Sequence, residues 1–158
     1  MTDPTFGPQI AIALLASSPD AVIYAGREGQ VLYWNPSAER IFGFTSAEAM
    51  GQSLDIIIPE KFRDAHWKGY DKALATGVTK YSGKPLTTRA QNKAGETVYV
   101  DLGFALVRDT AGEIVGVMST ARDMSERFNN DRETRREIRE LREALKQAGV
   151  EAPTSPSA

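Results

Sequence analysis

Apolar and polar residues alternate most cleanly between Val98 and Leu106. Val98, Val100, Leu102, Phe104 and Leu106 take every second place, with Tyr99, Asp101, Gly103 and Ala105 between them. Successive side chains of a strand point to opposite faces, so this is a half-buried strand whose apolar residues face a core. Turn sequences bound it, Asn92-Lys93-Ala94-Gly95 before and Asp109-Thr110-Ala111-Gly112 after. A last strand is expected from Ile114 to Ala121. Near the start, Ala21–Ala25 and Gln30–Trp34 are strand-like runs on either side of Arg27-Glu28-Gly29, which predicts a hairpin. The stretch between these strand groups is helical in pattern. Asn35 is a good N-cap and Pro36 suits a first turn, so Ala38 to Phe42 form a short helix that Gly43 stops. Thr45-Ser46-Ala47-Glu48 has the spacing of a second capped start, and Gly51 ends that helix. A longer helix runs from Pro59 to Gly77 with Phe62, Tyr70, Ala73 and Leu74 on its apolar face.

The order is two strands, several short helices, one longer helix and a three-strand meander. Hairpin connections imply an antiparallel sheet with helices on one face, the α+β class. The expected organisation is an N-terminal cap helix within residues 1–16, a globular domain over 17–123, a charged amphipathic helix over 124–148 and a disordered tail over 149–158. In the charged helix, Asp131–Arg135, Arg136–Glu140 and Arg139–Glu143 have i,i+4 spacing. Ile138, Leu141, Leu145 and Ala148 are spaced 3-4-3, a short seam for a partner helix, while the same register upstream meets Thr134, Asp131 and Arg127.

Composition narrows the function. The 158 residues are 41% hydrophobic, which suits one domain. With 19 basic and 21 acidic residues the net charge is −2, so neither nucleic acid nor a membrane surface is expected as partner. Met1-Thr2-Asp3-Pro4 is no signal-peptide start, and Ile10–Leu15 is too short to span a bilayer, which makes the cytoplasm the expected location. The absence of cysteine excludes disulfides, thiolate catalysis and Cys-based metal sites. With a single histidine, a zinc site would need mainly carboxylates. No nucleophile–base pair, Walker loop or His-Glu-x-x-His is present, so the chain is not expected to be an enzyme. That histidine, His66, lies four residues after Phe62 and four before Tyr70, on the apolar face of the longer helix, and Gly69 leaves space nearby. Two readings stand beside each other: a half-buried histidine bonded to a backbone carbonyl, or a neutral ring nitrogen offered to iron.

Several segments together resemble the PAS domain, a sensor module. Tyr33-Trp34-Asn35-Pro36-Ser37-Ala38-Glu39-Arg40-Ile41-Phe42-Gly43-Phe44 is similar to its strand-to-helix signature. Ser46-Ala47-Glu48-Ala49-Met50-Gly51 and Ile57-Ile58-Pro59-Glu60 are similar to its next landmarks. Asn92-Lys93-Ala94-Gly95-Glu96 looks like its basic-Asp-Gly hairpin, with Ala94 where Asp is usual, and Ala121-Arg122-Asp123-Met124-Ser125-Glu126-Arg127 resembles its closing element. The resemblance runs from about residue 10 to residue 127. It implies a five-stranded antiparallel sheet whose cupped inner face, under short helices, binds a cofactor or metabolite or packs shut.

Arg63-Asp64-Ala65-His66-Trp67-Lys68-Gly69-Tyr70 further resembles the proximal-histidine helix of haem-binding PAS domains from rhizobial oxygen-sensing kinases. On that likeness His66 would ligate the iron of haem b, with Leu102, Phe104, Val117 and Ser119 around the plate. The sequence departs from those domains at Leu86, where they carry the arginine that binds oxygen, and at Phe104, where they carry an aliphatic residue. Another small molecule, a non-covalent flavin or no ligand are the alternatives; the reactive cysteine of light-sensing flavin relatives is absent. The resemblance makes Arg122, Asp123 and Ser125 the joint through which a bacterial sensor passes its signal to the C-terminal helix. Asp123 would cap that helix. The expected partners are a second copy, joined through this helix and the one at 8–16, and a signalling protein in trans, a kinase or a regulator of transcription. The alternative function is a ligand-free dimerisation domain.

Overall fold

The strong alternation of the second half of the chain folds as one long strand, and the hairpin runs at the start pair beside it. In the computed structural model, which describes residues 6–149 other than Lys80 and Ser82, five strands form one antiparallel sheet. They are β1 (Ala21–Gly26), β2 (Val31–Trp34), β3 (Leu86–Gln91), β4 (Thr97–Arg108) and β5 (Ile114–Asp123), in the spatial order β2-β1-β5-β4-β3. The helices are α1 (Pro8–Ser17), α2 (Pro36–Phe42), α3 (Ser46–Ala49), α4 (Glu60–Thr76) and α5 (Ser125–Gln147), with a single 3-10 turn at Leu54–Ile56. The class is α+β, as the order of elements predicts. Residues up to Met124 form one compact unit and α5 belongs to another. Among the described residues no helix is long and apolar enough to cross a membrane. The tail expected to be disordered lies outside the described residues from Val150 on, as do residues 1–5.

Local chemistry fixes the helix ends. Asn35 is almost fully buried, and its Oδ1 accepts from the amides of Ala38 at 2.9 Å and Val22 at 2.8 Å. One side chain thus caps α2 and ties it to β1. Gly43 ends α2 at φ 79°, a left-handed conformation that costs glycine nothing. Thr45 and Glu48 make the reciprocal capping box of α3. The Lys93 ammonium, 2.5 Å from Glu48, together with the cap amide holds the Glu48 carboxyl down at about 2.

One strand is longer than the sequence predicts, and the first strand of the expected meander is one to which the sequence pattern assigns no residues. β5 runs on to Asp123, two residues past Ala121, because Arg122 and Asp123 still pair with Asp101 and Val100 of β4. β3 has no clear sequence signature: its inward residues are Leu86, Thr88 and Ala90, too weakly apolar to show an alternation. The core gathers on the inner sheet face. Ala21, Ile23 and Ala25 of β1, Trp34 of β2 and Val98 and Val100 of β4 are buried there with Phe42 of α2. The Trp34 and Phe42 rings meet at 5.6 Å. α1 buries nothing, and Ile12 and Leu14 stay more than half exposed.

Candidate functional site

The floor of the candidate site is a set of neighbouring inward positions on β4 and β5. Register pairs Leu102 with Ala121, Phe104 with Ser119 and Leu106 with Val117. β1 continues the rows, with Ile23 opposite Ser119 and Ala25 opposite Val117. Leu102, Phe104, Val117 and Ser119, the four sheet residues expected at a cofactor, therefore share one face in adjoining rows. Leu86 joins them on that face, directly opposite Leu102.

Burial along that face is uneven. Val98 and Val100 are shut away, whereas Leu102, Phe104 and Leu106 are only half-buried. The closed end is held by backbone bonds: Lys93 N donates to Phe42 O at 2.8 Å, and Gln91 N to Ile57 O at 2.9 Å. At the other end β3 begins only at Leu86, so β4 continues past Leu102 with β5 as its pairing strand. There Tyr81, from the connection after α4, lays its ring 5.9 Å from Phe104.

α4 supplies the roof. The phenol of buried Tyr70 donates to Gly26 O at 2.6 Å, at the end of β1. Burial raises the Tyr70 phenol to about 12, so it stays a donor throughout the physiological range. Three residues earlier, the Trp67 ring lies so close to Gly29 that a Cβ there would come within 2.2 Å of it. Trp67 Nε1 donates to Asp55 Oδ1 at 2.9 Å. These two anchors fix the angle at which α4 crosses the sheet.

His66 is one turn before Tyr70 on the same face, half-buried. Its ring meets Trp67 edge-on at 4.8 Å and Tyr70 at 5.8 Å. Nε2 is buried and has no hydrogen-bond partner among the described residues, so this nitrogen is not bonded to a backbone carbonyl of those residues. Burial pushes the imidazole pKa below its ordinary value, against the opposing pull of the Asp55 carboxylate, so the ring is neutral at pH 7. A neutral imidazole with an uncommitted buried nitrogen is the form that binds iron or accepts a hydrogen bond. Gly69 is exposed, so the space beside it opens outward from α4 and does not enlarge the cup.

The model of the family described as the PAS fold matches residues 15–129. The chain belongs to the PAS family. Over 109 residues it is 27% identical to the oxygen sensor protein DosP of Escherichia coli, covering 69% of this chain and 13% of DosP. Over 54 residues it is 37% identical to the sensor protein FixL of Bradyrhizobium diazoefficiens, covering 34% of this chain and 11% of FixL. The chain thus spans a small fraction of these curated relatives. A solved PAS domain from Colwellia psychrerythraea superposes with a TM-score of 0.65 at 15% identity, covering 75% of this chain and 97% of that one. A Vibrio cholerae VqmA dimer, described in the absence of its target DNA, has a TM-score of 0.61 at 14% identity, covering 77% and 53%. At such identities these two likenesses establish the fold alone.

Within this PAS domain the expected signal joint sits at the exit of β5. Arg122 is exposed, and its guanidinium grips Asp20 with both arms, Nε to Oδ1 at 3.0 Å and Nη2 to Oδ2 at 2.9 Å. Asp123 is the exposed last residue of β5, and Ser125 is the half-buried first residue of α5. Asp20, immediately before β1, is a partner that sequence reasoning missed. It lies 102 residues from Arg122, and neither residue carries a local signal for the other. The pair links the entry of the PAS sheet to its exit.

Proposed function

We propose that this PAS sensory domain binds a small ligand, haem b first among the candidates, over the half-covered end of its inner sheet face. On this reading it acts by binding and not by catalysis, in the cytoplasm. It works as a homodimer and relays ligand occupancy through α5 to a signalling protein, a kinase or a regulator of transcription. The observation that supports the reading is the buried Nε2 of His66, without a hydrogen-bond partner among the described residues, on a helix that packs against a sheet face whose Leu102, Phe104 and Leu106 are half-buried.

The residues suit haem. His66 would hold the iron, and Leu102, Phe104, Val117 and Ser119 would face the plate. Haem would supply an iron with a coordination position for a diatomic ligand. The residues of this chain would do the rest. The Trp67–Asp55 and Tyr70–Gly26 bonds hold α4, and with it the imidazole, at a fixed angle to the sheet. Leu86 offers no hydrogen-bond donor, so carbon monoxide, which needs none, is favoured over oxygen. The relay requires that two states of the sheet differ in their affinity for the ligand. β5 is the strand to carry that difference, because it contains both Val117 and Ser119 of the floor and Arg122 and Asp123 of the exit.

The test is a hemin titration of the purified protein and of a His66→Ala variant. A saturable Soret band of one equivalent in the wild type that is lost in the variant supports the reading. No saturable band, or equal binding by both proteins, ends it. The spectrum of the protein as first purified also separates haem from a bound flavin, whose bands differ.

A further inference from the structure

The outer face of the sheet carries a hollow of its own. Alternation turns Leu102, Phe104 and Leu106 inward, so the residues between them face outward. Register sets Asp101 opposite Arg122, Gly103 opposite Thr120 and Ala105 opposite Met118, three successive rows on that outer face. All three rows line one hollow of about 410 Å³, within the size range of small-molecule sites. Tyr81 and Lys84, shortly before β3, wall it on one side, and Lys84 N donates to Tyr81 O at 3.1 Å. Phe104 borders the same hollow at the β4 edge, past the point where β3 begins. Gly103 keeps the floor open, since a Cβ there would come within 2.7 Å of Thr120 Oγ1. The Thr120 hydroxyl is thereby left in the floor, with no side-chain hydrogen-bond partner among the described residues.

We propose that this hollow is a second small-molecule site, for a small apolar acid whose carboxylate meets the Lys84 ammonium and whose body lies over Gly103, Ala105 and Met118. The charges around the hollow decide the sign of the ligand. Asp20 is spent on Arg122 through two bonds, at 3.0 and 2.9 Å. Asp101 accepts from the Thr87 hydroxyl and stands opposite Arg122 in the register. Lys84 is the charged residue of the lining whose side chain has no ion-pair or hydrogen-bond partner among the described residues. A carboxylate takes a charge-assisted bond from an ammonium, stronger than a bond between neutral groups, and the Thr120 hydroxyl is a further donor. A cationic ligand would find both carboxylates already engaged. The site lies on the face opposite the cup and needs no histidine. The Asp20–Arg122 pair is part of its lining, so a molecule that fills the hollow meets the sheet exit without passing through the cup.

Amide NMR spectra of the isotope-labelled full chain test it, in titrations with naphthoate and with naphthalenemethanol, its uncharged counterpart. Naphthoate is expected to shift the Gly103, Met118 and Thr120 amides saturably, and the alcohol to bind about tenfold more weakly. The Asp20 and Arg122 amides are expected to move with those of the floor. Lys84→Gln, at an exposed position, is expected to remove the preference for the acid, and Lys84→Arg to keep it. Thr120→Val is expected to weaken naphthoate about threefold. Shifts that do not saturate, equal binding of acid and alcohol, or a preference that survives Lys84→Gln overturns the proposal. So does naphthoate binding that His66→Ala or added hemin abolishes, since that places the acid in the cup. Binding that both leave unchanged supports a separate site on the outer face.

Discussion

β4 is one strand with one alternation, yet its two halves live in different surroundings. Val98 and Val100 are sealed, because the β3–β4 hairpin is bonded to the end of α2 and to the turn after Leu54–Ile56. Leu102, Phe104 and Leu106 continue the same apolar face but are left half-buried, with the Tyr81 ring of the connection after α4 set 5.9 Å from Phe104. Burial of apolar area is what stabilises a core, and a face already covered has nothing left to offer a ligand. The closed half therefore serves stability, and the half-open half is the part that the proposed ligand would cover. The only histidine belongs to α4, the helix whose Tyr70 reaches the β1 end beside Ala25 and so beside the Val117–Leu106 row.

Truncating one aromatic ring at each half of the face is expected to separate the two. Phe42→Ala is expected to cost about 3–5 kcal/mol in urea unfolding, since that ring is fully enclosed. Phe104→Ala is expected to cost only about 1–2 kcal/mol, because part of its area is exposed in the folded state and the cavity term shrinks with it. Equal losses at the two sites would erase the distinction between the halves.

A smaller effect follows from His66. Its pKa is lowered by burial, so the unfolded chain takes up the proton more readily than the folded one. Stability is therefore fully present above the ordinary histidine pKa of about 6.5. It declines as pH falls below that and levels off once the lowered folded-state pKa has been passed. Unfolding midpoints between pH 8 and 5 are expected to show this component in the wild type and to lose it in His66→Gln. A pH profile unchanged by the substitution would mean that the ring is solvated.

The smallest effect is expected at the sheet exit. Asp20→Asn removes one charge of an exposed bidentate pair, and exposed pairs contribute little to stability. The unfolding midpoint is expected to stay near wild type, while amide exchange at the start of β1 and the end of β5 rises. Unchanged exchange at both places would show that the pair does not hold entry and exit together.

Much of this fold is legible in the residues, for reasons that differ by element. β4 declares itself because five apolar side chains on one face have no other arrangement that buries them. The caps at Asn35 and Thr45 are legible because they act within three residues. β3 is not, since Leu86, Thr88 and Ala90 bury too little to mark a face. Alternation told which way Leu102 and Phe104 point but not what covers them, which depends on where β3 begins and how α4 crosses. His66 stood out by residue type and spacing. That its Nε2 lacks a partner is a product of packing, as is the Arg122–Asp20 pair.

On the proposed function, the half-open end of the cup holds a small molecule. Native mass spectrometry of the full chain, freshly purified from cells, tests it most directly, alongside a Leu102→Trp variant that fills the floor. The expected wild-type mass exceeds that of the chain by one non-covalently held molecule, and the variant is expected to lose that increment. A wild-type protein at the mass of the bare chain, or an increment that the filled variant keeps, would contradict it.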